Sequence, residues 1–150
     1  MSQGLDPPLG ADAGARASPR AGVDLAPEAD SVRAARNFVA RMLEVWHCDD
    51  PDEVVDLLTS EIVTNAVRHA VGAIRVEAAL VDRQTLRVSA ADDHPDVPVL
   101  RQPGPLVEDG RGIMLVGSLA RRWGVEVEAG YKVVWFEAAI DRHDDPAPTA

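Results

Sequence analysis

LLTSEIVTNAVRHA, residues 57–70, reads as a helix with an unusual margin. Glu61, Asn65 and His69 fall four residues apart, a step that keeps side chains on nearly one face. Beside them run Leu58, Ile62, Ala66 and Ala70, a stripe suited to a core. A solvent face more usually carries Glu, Lys and Arg, and a plain core carries more Leu. An acid, an amide and an imidazole in a row beside a buried stripe therefore need a reason. By spacing alone an ordinary reading stays open, with Glu61 in solvent, Asn65 capping a neighbour and His69 satisfied in the core.

The chain around this segment has 150 residues, enough for one domain with a real hydrophobic core. Apolar residues make up 46% and aromatics only 4%, so Val, Leu, Ile and Ala must fill that core. The net charge of -10 argues against a nucleic-acid binder and against docking on anionic membranes, since both need a basic surface. A small anionic ligand stays compatible with this charge if a metal ion or a helix N-terminus screens it. One cysteine, Cys48, permits no intrachain disulfide and fits a reduced, cytoplasmic setting. No apolar run reaches membrane-span length, and the N-terminus shows no apolar signal region.

Residues 1–20 are rich in Gly, Pro, Ala and Asp and cannot bury enough apolar surface to offset ordering entropy; they and residues 141–150 read as disordered tails. The domain expected between them covers residues 21–140. GVDLA reads as a first strand. A helix follows, with Val32, Ala35, Phe38, Val39, Met42, Leu43 and Trp46 at helical spacing and Pro27 in its first turn. HCDDPD is a loop with capping acids, and Pro51 and Asp52 open the second helix, which runs to about Ala70. AIRVEAALVD and TLRVSAADD alternate as a hairpin of strands. Residues 93–110 hold four prolines and two glycines and fit no packed element; loops this long tend to be functional or disordered. GRGIMLVGSLARR starts a third helix, and WGVEVEA and YKVVWFEAAI form a last hairpin around Gly130. The order β-α-α-β-β-loop-α-β-β implies an α+β fold. We expect a two-layer α/β sandwich, its sheet mixed but mostly antiparallel, with helices on one face.

Three features could carry chemistry. The amide oxygen of Asn65 is a hard ligand suited to Mg²⁺, and Glu61, one turn earlier, could orient or deprotonate a hydroxyl or a water. Asp92 ends an apolar strand, where its carboxylate could accept a hydrogen bond from an exocyclic amine; an Asp there also commonly begins a turn. In EDGRGIMLV, Gly110 and Gly112 stand at a helix start, where free N–H groups and the helix dipole favour an anion and Arg111 adds charge. Glycines at such a junction also simply supply a turn with positive φ.

The order of these features resembles the Bergerat-type ATP-binding fold of sensor histidine kinases, gyrase and MutL, over about residues 25–140. It is most similar to the single-domain anti-sigma-factor serine/threonine kinases of bacterial stress and sporulation switches. SEIVTNAVRHA resembles their N box, DDHPDVP their Asp box, EDGRGIMLV their glycine box, and RRWGVEV with YKVVWFE their terminal hairpin. The resemblance implies that Asn65 binds Mg²⁺ bridging the phosphates of ATP and that Glu61 is the base or orienting carboxylate. It implies further that Asp92 binds the adenine amine, that Gly110, Arg111, Gly112 and Ile113 contact phosphates, and that residues 93–109 form a lid. His69 would lie near the lid or the phosphates. Two places depart from the broader pattern. His94 and Asp96 stand where relatives carry glycines, and Val133 replaces a threonine near the adenine.

The function so implied is an ATP-binding regulator, a protein serine/threonine kinase. It would hold a sigma factor inactive and phosphorylate the antagonist protein that displaces it. A second reading is a nucleotide-dependent binding module, catalytically weak, that sequesters a regulator. A third, a metal hydrolase on His69, Asp92 and His94, lacks any H-x-x-H or H-E-x-x-H pattern. Relatives of this kind are commonly homodimers. Arg33, Arg36 and Arg41 on the first helix could pair across such an interface, although a solvated face is the commoner reading. Trp46, Trp123 and Trp135 read as packing residues, and Lys132, the only lysine, as an ordinary exposed strand residue.

Overall fold

The computed structural model of the chain describes residues 18–93, 119–128 and 130–143. Strand β1 (Arg20–Leu25) leads into helix α1 (Asp30–Val45), a short strand β2 (Cys48–Asp49), a 3-10 turn (Pro51–Glu53) and helix α2 (Val54–His69). Strands β3 (Ile74–Asp82), β4 (Thr85–Asp92), β5 (Arg122–Glu128), β6 (Tyr131–Ala139) and the short β7 (Asp141–Arg142) follow. Of the expected third helix, residues 110–118 fall outside the described residues and Arg122 already belongs to β5; of the proline-rich loop only Asp93 is described.

Alternating residues build the sheet. Along β3, Ile74, Val76, Ala78 and Leu80 point to one side and are buried; Leu86, Val88 and Ala90 of β4 and Val134, Phe136 and Ala138 of β6 do the same. The five strands run in the order β1-β3-β4-β6-β5, and every pairing among the described residues is antiparallel. α1 and α2 cover the apolar face with Ala35, Val39 and Leu43 from one and Val55, Leu58, Ile62, Val63 and Ala66 from the other. This is the expected two-layer α+β sandwich. Each large aliphatic side chain fully buried in it stabilises the fold by about 1.5–3 kcal/mol.

The last hairpin does not simply add to the sheet edge. Its second strand, β6, lies between β4 and β5, so the chain's final long strand is an interior one. Gly130 turns the hairpin at φ 88. Gly124 is required by close approach, because a Cβ there would lie 2.8 Å from the Trp135 ring. On the sheet's other face, Arg87 stacks over that ring at 4.1 Å and its Nε donates to Glu137 Oε2 at 3.0 Å.

Several boundaries differ from the sequence expectation. α1 begins beyond Pro27, because residues 26–31 close a turn in which Ser31 Oγ donates to the Ala26 carbonyl at 2.6 Å. Pro51 and Asp52 do not open α2. Asp52 and Glu53 have left-handed φ of 57 and 56, which an α-helix cannot accept, so α2 starts at Val54. Asp50 caps it instead, accepting the N–H of Val55 at 2.7 Å and of Asp56 at 2.9 Å. Burial raises the Asp50 carboxyl above its ordinary range, and those two N–H groups pull it back in part. Arg20, expected in a tail, lies in β1. Asp141 and Arg142 pair with Asp49 and Cys48, and the His143 N–H reaches the His47 carbonyl at 2.9 Å, so ordered chain continues past residue 140.

Removing the cap tests how α2 is held. Asp50→Ala is expected to lower stability by about 1–2 kcal/mol, since two N–H groups lose their acceptor. A lower urea midpoint at unchanged slope would show it.

Candidate functional site

The margin of α2 lies where its spacing put it. Leu58, Ile62 and Ala66 are fully buried against the sheet, and Asn65 beside them is only 9% exposed. Glu61 is half-buried one turn earlier, and His69 is half-buried at the last position of the helix. Among the described residues, neither the Asn65 amide nor the Glu61 carboxylate makes a hydrogen bond or an ion pair. Asn65 is nearly buried as a residue, yet its amide atoms are not sealed from solvent, so a ligand can reach them.

Asp92 is brought to the same end of the sheet by the chain path. After a connection of four residues from α2, Ile74 begins β3, and Ile74 is the register partner of Asp92. The junction is tight: a Cβ on Gly72 would lie 3.1 Å from Asp93 Oδ2. Asp92 itself is 3% exposed and follows Leu86, Val88 and Ala90 on the helix-covered face.

Lys132, expected as an exposed strand residue, is buried. It is the register partner of Asp92 on β6, is only 4% exposed, and places Nζ 3.9 Å from Asp92 Oδ2. Burial lowers its ammonium below the ordinary lysine range, and the Asp92 charge opposes that shift. The signal was present in the alternation, because Lys132 shares its parity with the inward Val134 and Phe136. Val133, expected near the adenine, faces the other way. It helps to line a groove of about 580 Å³ with Asp24, Ser89 and Tyr131, which also reaches Asp92 and Asp93 at the end of β4. That groove is not where Glu61 and Asn65 lie.

Other expected contributors fall outside the described residues: His94, Asp96, Gly110, Arg111, Gly112, Ile113 and the lid beyond Asp93. The described residues contain no cluster of three or more His, Cys, Asp or Glu side chains able to hold a metal. No helix among them is long and apolar enough to cross a membrane. Arg36, considered for a dimer contact, is committed within the chain, with Nε and Nη2 each 3.1 Å from an Asp56 carboxylate oxygen.

The arrangement is thus a helix with an uncommitted acid and amide, running toward a strand end that carries a buried carboxylate. A sequence model of the histidine kinase-like ATPase domain matches residues 25–137, from the end of β1 into β6. The chain belongs to the histidine kinase-like ATPase domain family. ATP is the ligand of this family, and the residue types present are compatible with it: an amide oxygen is a hard ligand of the kind Mg²⁺ takes, and a carboxylate can accept a hydrogen bond from a base. No curated protein sequence matches the chain. Among solved structures it is similar to the RsbU and RsbW domains of Rv1364c from Mycobacterium tuberculosis, with a TM-score of 0.61 and 21% identity over 83% of this chain. It is also similar to the histidine kinase domain of the blue-light activated histidine kinase from Erythrobacter litoralis EL346, with a TM-score of 0.46 and 24% identity over 57% of this chain. The chain spans 34% of the first of these and 42% of the second. At these identities the first likeness supports the fold.

The buried pair makes a stability prediction. Asp92→Leu strands the Lys132 ammonium and is expected to destabilise by about 3 kcal/mol, whereas Asp92→Leu with Lys132→Met should recover much of that loss. The folded-state pKa of Lys132 lies below its unfolded value. Its contribution to stability is therefore present above the unfolded pKa and is lost as pH falls through the folded one. Urea midpoints should rise as pH approaches the ordinary lysine range in the wild type, and rise less in the double variant.

Proposed function

We propose that this family member is an ATP-dependent protein serine/threonine kinase acting in a sigma-factor switch, with a small antagonist protein as its substrate. The observation that carries the reading is the uncommitted pair Glu61 and Asn65, held on a rigid buried helix that runs to the same sheet end as Asp92. A residue that is nine-tenths buried yet leaves its amide without a protein partner, at the edge of the packed face, suits a nucleotide ligand. The N box, Asp box and glycine box resemblance supports the reading, as does the fold likeness to a protein whose domains include RsbW.

Each group has a role on this reading. Asp92 accepts the adenine amine and fixes the base. Asn65 holds Mg²⁺, which when bound neutralises phosphate charge and aligns the terminal phosphoryl group. Gly110 to Ile113 would offer N–H groups to the phosphates. Glu61 orients the substrate serine hydroxyl and takes its proton as that oxygen attacks the γ-phosphorus, while the bond to the β–γ bridging oxygen breaks and ADP leaves.

Calorimetry with Mg-ATP should show binding in the wild type and at least about tenfold weaker binding in Asn65→Ala, whose metal ligand is gone. With an antagonist protein present, Glu61→Ala should keep nucleotide affinity within about twofold yet lose about 100-fold or more in transfer rate. Binding without any transfer in the wild type would instead identify a nucleotide-dependent sequestering module. Absence of ATP affinity in the wild type would defeat both.

A further inference from the structure

Lys132 has no role in the scheme above, yet it is the chain's only lysine and is buried. It stands opposite Asp92 on the helix-covered face, at the sheet end toward which the polar margin of α2 runs. Its Nζ lies 3.9 Å from Asp92 Oδ2, close enough for attraction and too far for a hydrogen bond. An ammonium carries three donors. Taking it from water is costly unless those donors are met. Among the described residues nothing else accepts from Nζ. A purely structural pair would be expected to close to direct contact, since that is where its energy lies. The gap leaves donors available beside a carboxylate.

Adenine presents a matching edge, with a donor, the N6 amine, next to an acceptor, N1. A carboxylate beside an ammonium is complementary to that order. Guanine reverses it, with O6 as acceptor and N1–H as donor, and would set oxygen against carboxylate and hydrogen against ammonium. Resting on the nucleotide reading, we propose that Lys132 donates to N1 of the adenine while Asp92 accepts from its N6 amine, making Lys132 a specificity-determining residue for the base. Discrimination then comes from repulsion of the wrong edge as well as attraction of the right one. The lysine stands one position before Val133, so the inner face at this strand end presents a long charged donor.

The test compares Mg-ATP with the Mg complex of 1-deaza-ATP, in which N1 is replaced by C–H. In calorimetry the full-length wild type should bind the analogue about tenfold or more weakly, the loss expected for a hydrogen bond to a charged group. In Lys132→Met the two ligands should bind within about twofold of each other, ATP having fallen to the level of its analogue. A structural role would lower stability without removing the dependence on N1. A second measurement needs no variant. In protein labelled with ¹⁵N-lysine, the single side-chain resonance should shift on adding Mg-ATP and move much less with the analogue. Equal wild-type affinities, a ratio that survives in Lys132→Met, or a lysine signal indifferent to N1 would each overturn the proposal while leaving ATP binding intact. A wild type that binds no Mg-ATP would instead defeat the nucleotide reading on which it rests.

Discussion

A carboxylate and an ammonium buried side by side where two interior strands meet set the terms for this site. Neither Asp92 nor Lys132 would remain there alone, because an uncompensated charge out of water costs more than a small domain can easily lose. What holds them together is the apolar register behind them. Leu86 pairs with Ala138, Val88 with Phe136 and Ala90 with Val134, all facing the helices. A slip of one residue would turn Phe136 to the outside and lose its burial along with the ion pair. The core thus enforces the placement of the two charges.

α2 serves two purposes with different sides of one cylinder. Leu58, Ile62, Val63 and Ala66 anchor it to the sheet. The neighbouring margin of Glu61 and Asn65 leaves polar groups at the edge of that contact. Such a margin lowers stability and is tolerated because the helix is secured elsewhere, by Asp50 at its start and by the Arg36–Asp56 pair to α1. The left-handed residues Asp52 and Glu53 before it are a local strain accepted to bring the Asp50 carboxylate over the first free N–H groups. A helix anchored in this way holds the side chains along its margin in fixed geometry.

The face of the sheet away from the helices follows different rules. There Trp135, Arg87 and Glu137 form a stacked and ion-paired cluster, and Gly124 exists to let the indole lie flat against β5. Trp135 and Glu137 alternate along β6 with Val134 and Phe136 but belong to the other side. The separation explains how a strand of nine residues can serve packing, an outer groove and the strand end beside Asp92 at once, each by parity alone.

Local pattern determined a good deal. The stripe of α2 with its Glu61–Asn65–His69 margin, the β3–β4 hairpin, the turn at Gly130 and Asp92 at a strand end all follow from periods of 3.6 and 2, which depend only on adjacent residues. The family resemblance rests partly on the same segments and partly on the Asp-box and glycine-box stretches that follow Asp92. Pattern misjudged the opening of α2, because left-handed backbone at Asp52 and Glu53 leaves no signature in side-chain polarity, and it took the ordered residues 141–143 for tail, because two short strands pair across nearly the whole chain. It also read Lys132 as exposed. Alternation tells which residues share a face, but not which face is covered or which strand lies alongside. Only the insertion of β6 between β4 and β5 set Lys132 against Asp92, and that choice belongs to the packing of the whole sheet, where the apolar faces of distant segments are removed from water together.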